Sequence, residues 1–118
     1  MEITTETMDG VAVVTPRSEY LIAGNVDDFR RDMGPVLEAN PNVVLDMSQL
    51  QFVDSSGIGA FLSCLRRVNA AGGDLKLCGI TKQVYAVFQI TRMHRIFDIF
   101  DTRDEAVQSF KSQDAGTT

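Results

Sequence analysis

The feature that most restricts the fold is an alternation. After an opening hairpin, short apolar runs take turns with segments whose apolar residues recur at helical spacing. Ile3 to Thr7 alternates weakly, Asp9-Gly10 is a hairpin-type turn signal, and Val11-Ala12-Val13-Val14-Thr15 follows as a second strand. Pro16 to Gly24 reads as a loop. Asn25 then precedes a stripe of Val26, Phe29, Met33, Val36 and Leu37, and so reads as the cap of a helix. Gly34-Pro35 falls inside that stripe and predicts a kink or break, because proline in a helix interior costs about 3 kcal/mol.

The pattern then repeats. Val43-Val44-Leu45 is a continuous apolar strand ending at Asp46, as expected when both faces are covered. Gln51-Phe52-Val53 leads to the clearest helix, with Ile58, Phe61, Leu62, Leu65 and Val68 on one face and Gly72-Gly73 as its stop. Leu75-Lys76-Leu77-Cys78 is the next strand. Thr81 caps a helix bearing Val84, Val87, Phe88 and Thr91, and Ile96 to Phe100 reads as a last short strand. Thr102-Arg103-Asp104-Glu105 has capping-box spacing ahead of Ala106, Val107 and Phe110. Such an order predicts an α/β fold: one domain over residues 1–111, with a small, mixed, mainly parallel sheet flanked by about four helices. Ser112 to Thr118 reads as a flexible tail.

Composition narrows the function. A net charge of -5 argues against binding nucleic acid directly. The basic pairs Arg30-Arg31 and Arg66-Arg67 read as solvated helix faces. No apolar run approaches the roughly 20 residues of a membrane span, and no signal peptide is visible, so the expected location is the cytoplasm. Cys64 and Cys78 are not in a C-x-x-C arrangement, and Cys78 reads as a buried small hydrophobe. The single histidine, His94, reads as an exposed surface residue, and no cluster has metal-ligand spacing. No cofactor, metal or catalytic site is expected. A Ser–His site would require a base near Ser55, and no phosphate-binding or dinucleotide fingerprint is present.

The informative stretch is Phe52-Val53-Asp54-Ser55-Ser56-Gly57-Ile58-Gly59-Ala60-Phe61-Leu62. A strand ends, two hydroxyls follow, and a helix begins with amides that lack intrahelical acceptors. The helix dipole favours negative charge at the same place. Asp54, Ser55 and Ser56 are equally suited to plain helix capping. Capping alone accounts poorly for Gly57 and Gly59, since each glycine costs about 0.5–1 kcal/mol relative to alanine in a helix. Together with Ala60 they leave a bare turn that a partner backbone can approach.

The segment DSSGIGAFLS resembles the phosphorylation-site motif of anti-sigma factor antagonists, which are built on the STAS domain. The resemblance extends through Val43 to Asp46, Ala71 to Leu77, Val84 to Phe88, Ile90-Thr91 and Ile96-Phe97. It implies that Ser55, directly after the aspartate, is the phosphorylated residue. It implies a partner face containing Leu21, Ile22, Asn25, Asp54, Ser56, Gly57, Ile58, Gly59 and Ala60. It also implies the partners: an anti-sigma factor that is a serine kinase of the GHKL ATP-binding class, and a serine phosphatase. In this scheme the unphosphorylated antagonist binds the anti-sigma factor and releases a sigma factor, and phosphorylation breaks the complex. Ile22 stands where many relatives have an aspartate, and Thr91-Arg92-Met93 stands where relatives often have Thr-Gly-Leu. Arg92 is therefore expected in a backbone position that glycine adopts more easily. A STAS switch or scaffold acting on a different signalling protein remains the alternative.

Overall fold

The computed structural model describes the backbone of residues 1–116 and the side chains of residues 1–111. β1 (Ile3–Met8) and β2 (Val11–Pro16) form the antiparallel hairpin, with both turn residues, Asp9 and Gly10, at positive φ. The chain continues through β3 (Tyr20–Leu21), α1 (Val26–Ala39), β4 (Asn42–Asp46), β5 (Phe52–Val53) and α2 (Ser55–Ala70). β6 (Asp74–Cys78), α3 (Lys82–Ile90), a 3₁₀ turn at Met93–Arg95, β7 (Ile99–Phe100) and α4 (Arg103–Gly116) complete it. The main sheet has the order β1-β2-β4-β6-β7 and is parallel except for the first pair. The expected α/β fold with four helices and a mixed, mainly parallel sheet is the one observed. The tail expected over 112–118 lies outside the residues described in full.

The continuous apolar strands follow from burial on both faces. Alternate residues of a strand point to opposite sides of the sheet. Ala12, Val14, Val43, Leu45, Leu75 and Leu77 pack beneath α1, α2 and α3, where Phe29, Phe61 and Phe88 form a chain of ring contacts. Val11, Val13, Val44 and Cys78 face the other way, against Ala106, Val107 and Phe110 of α4. Both cysteines are buried, and burial pushes the Cys78 thiol up to about 12 and that of Cys64 to about 11. A lysine joins the α4 side: Lys76 is 2% exposed, with its ammonium 3.0 Å from Asp98 and 5.1 Å from the centre of the Phe110 ring. Arg103 ties the start of α4 to the sheet through Asp46 (2.6 Å), Thr15 (2.8 Å) and Glu6.

Four local expectations are corrected. α1 does not break at Pro35: the helix continues through it, and the Pro35 side chain is exposed. The span read as a loop from Pro16 to Gly24 contains β3, which pairs in parallel with β5 as a separate two-stranded ribbon. Ile96 and Phe97 are not strand. Arg92 takes a left-handed conformation (φ 61°), as its place in the family pattern implied, and the 3₁₀ turn that follows carries Phe97 into the core against Phe88. His94 is half-buried: its ring packs edge-on to Tyr85, and Nδ1 lies 3.3 Å from the Phe88 carbonyl oxygen.

Candidate functional site

The N-terminus of α2 and the loop between β3 and α1 form one unit because Asp54 joins them. Asp54 holds the N-cap position with extended backbone (φ -106°, ψ -172°). Its Oδ1 accepts the Gly57 amide at 3.1 Å, satisfying one of the helix's free donors. Its Oδ2 accepts the Ala23 amide, across the gap, at 3.0 Å. The Asp54 amide donates in turn to the Leu21 carbonyl at 3.3 Å. The amides of Ala23 and then Gly57 hold the carboxyl below the ordinary carboxylate range. Two backbone donors are thus satisfied by one ionised side chain, and the loop is pinned to the helix start.

Asn25 occupies the N-cap position of α1, as expected, but its side chain does not cap that helix. It turns back instead. Oδ1 accepts the Ile22 amide at 2.9 Å, and Nδ2 donates to the Tyr20 carbonyl at 3.0 Å. The asparagine therefore shapes the loop from within, while the backbone amides of Asn25 and Val26 close onto the Ile22 carbonyl.

The structure divides the expected partner face into two layers. Ser55 is exposed at the first position of α2, and Ser56, Gly59, Asp54, Ile22 and Asn25 are half-buried around it, with Ala23 and Gly24 exposed beside them. Leu21, Gly57, Ile58 and Ala60 lie below the surface: Leu21 and Ala60 are fully buried, and Ile58 is 6% exposed. These four residues of the expected face lie beneath the exposed ones and pack inside the domain. Gly57 shows why. A Cβ there would sit 2.5 Å from the Leu21 carbonyl oxygen, so the glycine serves the close approach of the loop. At Gly59 a Cβ would meet only Arg30 Nη2, at 3.9 Å.

The electrostatics around Ser55 are simple. The first two turns of α2 carry no charged side chain, and the Ile22–Asn25 loop carries none. The nearest acid along the chain is Asp54, whose two oxygens are engaged by amides. His94 packs against Tyr85 and Phe88 of α3. The arrangement presents an exposed hydroxyl at a helix start, where the helix dipole favours negative charge.

Sequence reasoning missed two surface features next to this unit. Tyr20 and Phe52 are register partners on β3 and β5, and they are 50% and 56% exposed. Both strands lead directly into the segments that Asp54 joins. Arg30, read as a solvated helix residue, lies across the seam between α1 and α2 and donates to Ser63 Oγ at 2.9 Å. The i, i+4 spacing of Ser55, Gly59 and Ser63 was the signal for that second feature, since it places all three on one stripe of α2.

Comparison with known proteins agrees with this architecture. Residues 2–106 match the STAS domain family. The anti-sigma-B factor antagonist of Bacillus subtilis is 28% identical over 92 residues, covering 74% of this chain and 84% of the relative. Among solved structures, a candidate anti-sigma factor antagonist from Thermotoga maritima superposes with a TM-score of 0.84 at 25% identity, covering 91% of this chain and 92% of that one. The anti-sigma factor antagonist SpoIIAA in its unphosphorylated form gives a TM-score of 0.76 at 21% identity, with coverage of 94% and 97%. Its phosphorylated form gives 0.69 at 21% identity, with coverage of 92% and 99%. No described helix is long and apolar enough to cross a membrane. The match across residues 2–106, together with the five-stranded sheet and its four helices, places this chain in the STAS domain family, among relatives that are anti-sigma factor antagonists.

Proposed function

We propose that this chain is an anti-sigma factor antagonist whose binding is switched off by phosphorylation of Ser55. The observation that carries the reading is the placement of Ser55: exposed, first in α2, and directly after the aspartate that clamps the neighbouring loop. In the unphosphorylated state the domain docks through Ser55, Ser56 and Gly59 on α2 and through Ile22, Ala23, Gly24 and Asn25 on the loop. Leu21, Gly57, Ile58 and Ala60 support that face from beneath. Tyr20 and Phe52 extend it with two exposed aromatic rings, the residue types enriched where interfaces bind most strongly.

The partner is an anti-sigma factor that is also a serine kinase of the GHKL ATP-binding class, and a serine phosphatase reverses the modification. The chain itself contributes no catalysis, and the exchange takes place in the cytoplasm. A phosphate on Ser55 brings about -1.5 to -2 charges at pH 7. The helix start accommodates it without loss of fold, so the effect falls on the complex. A partner packed against Gly59 has to desolvate the phosphate, and an uncompensated buried charge costs several kcal/mol.

Ile22 favours a second reading within the same family. It puts a half-buried aliphatic side chain beside the switch where many relatives carry an aspartate, which suits a STAS partner other than a sigma-factor regulator. One experiment serves both readings. The chain is incubated with the kinase recovered from its own cells and with ATP, and the modified residue is mapped by mass spectrometry. Phosphate on Ser55 is the expected result, and phosphate on Ser56 alone would refute the site. Recovery of a sigma factor from the displaced complex decides between the two readings.

A further inference from the structure

We propose that Arg30 is the counter-charge that receives a phosphate on Ser55. The proposal rests on the reading of Ser55 as the modified residue, and it concerns what holds the phosphate once it is attached. Among the described residues, Arg31, Arg67 and Arg103 each meet a carboxylate: Arg31 meets Asp28 and Asp32, Arg67 meets Glu38, and Arg103 meets Asp46 and Glu6. Arg30 differs. Its Nη1 donates to a neutral hydroxyl, Ser63 Oγ at 2.9 Å, and that hydroxyl donates to the Gly59 carbonyl at 3.0 Å. The guanidinium is held in place by a group that leaves its charge uncompensated.

The stripe Ser55, Gly59, Ser63 sets the geometry. Residues four apart on a helix have Cβ positions about 5–6 Å from each other. Arg30 Nη2 lies 3.9 Å from where a Gly59 Cβ would be. The guanidinium therefore sits beside Gly59 on its Ser63 side, roughly one to two turns from Ser55, and the glycine puts no side chain of its own between them. A phosphoserine reaches several ångströms beyond its Cβ, and rotation of the long arginine side chain closes the remainder. The charged groups around this path are few. Asp54 precedes Ser55, with its oxygens on the Ala23 and Gly57 amides. Asp27 lies one turn before Arg30 on α1, Arg67 of α2 lines the same groove as Arg30 but pairs with Glu38, and the β3–α1 loop and the first two turns of α2 carry no charge. The pairing makes phosphorylation remove a positive charge from the docking face as well as add a negative one.

The test introduces phosphoserine at position 55 during translation, so it needs no kinase. The second phosphate ionisation is then followed by ³¹P NMR in the native chain and in Arg30→Gln. Arginine favours the dianion, so Arg30→Gln should raise the phosphate pKa by roughly 0.3–0.7 pH unit, the size expected of an exposed ion pair. Arg30→Lys should restore most of the shift, and 1 M salt should erase the difference. Superimposable titrations of native chain and Arg30→Gln would overturn the proposal, as would a difference that lysine and salt leave untouched. A kinase that ignores Ser55 would refute the proposed switch without altering this titration, so the two failures are distinguishable.

Discussion

On the inner side of the first turn of α2, a methyl group at Gly57 would stand 2.5 Å from the Leu21 carbonyl oxygen; on the outer side, a methyl at Gly59 meets nothing nearer than an Arg30 nitrogen at 3.9 Å. The sequence shows two glycines at i and i+2 and invites one explanation for both. The structure gives them different work. Gly57 lets the β3–α1 loop pack backbone to backbone against the helix, where Asp54 then fastens it. Gly59 is an open place on the surface, one turn along from the exposed Ser55. The inner side keeps the site in shape, and the outer side belongs to the proposed docking face.

Substitutions can separate the two sides. The largest effect belongs to Gly59→Arg, which puts a long cation onto the outer face: partner binding should be lost altogether while the circular dichroism spectrum and melting curve stay those of a folded domain. Unchanged affinity in the folded variant would remove Gly59 from the docking face. Next comes Gly57→Ala. The added carbon has only backbone to push against, so chemical denaturation should show a loss of about 1–3 kcal/mol, the usual cost of overpacking. Gly59→Ala is the matched control. It should leave stability unchanged or raise it by about 0.5–1 kcal/mol, since alanine is the better helix former. Equal losses at both positions would break the distinction between inner and outer sides.

Asp54→Ala probes the fastening itself. It removes the acceptor for both the Ala23 and Gly57 amides, so these two should exchange hydrogen faster than in the native chain while amides of β4 and β6 hardly change. The pH dependence has a defined sign. The folded-state pKa of Asp54 is depressed, so its contribution is complete above the ordinary carboxylate value and disappears as pH falls through the lower folded value. Asp46 acts in the same direction: burial works to raise its pKa, but hydrogen bonds from Ser48 and Arg103 prevail and lower it. A melting-temperature profile should therefore fall off below about pH 4 in the native chain, and less steeply in Asp54→Ala.

Much of this was legible in the sequence, and the physical reason is periodicity. The helix from Ser55 to Ala70 and the strands β2, β4 and β6 declare themselves because each buries a regular pattern. The Asp54 cap and the helix start at Ser55 were legible for a different reason: capping chemistry is local. What escaped depends on contacts distant in sequence. The two-residue strand Tyr20–Leu21 has no period to read, and only its partner Phe52–Val53 makes it a strand. Asn25 looked like a cap because caps are its commonest use, yet the Ile22 amide and Tyr20 carbonyl claim its side chain. Ile96-Phe97 looked extended because both are apolar. The left-handed Arg92 sets a turn there instead, at a position where propensity would not put an arginine. Burial of Gly57 was the most consequential omission: a glycine reads as bare surface until the loop backbone packed against it is seen.

The central claim is that a charge on Ser55 acts on the complex and leaves the fold intact. Its most direct test is the affinity of the anti-sigma partner, measured by calorimetry, for the unmodified chain and for the same chain carrying phosphoserine at position 55. Melting curves of both forms are recorded alongside. The account predicts that the melting temperatures agree within a few degrees while affinity drops by at least about a hundredfold, since every 1.4 kcal/mol of desolvation cost is a factor of ten. Equal affinity for the two folded forms would contradict it.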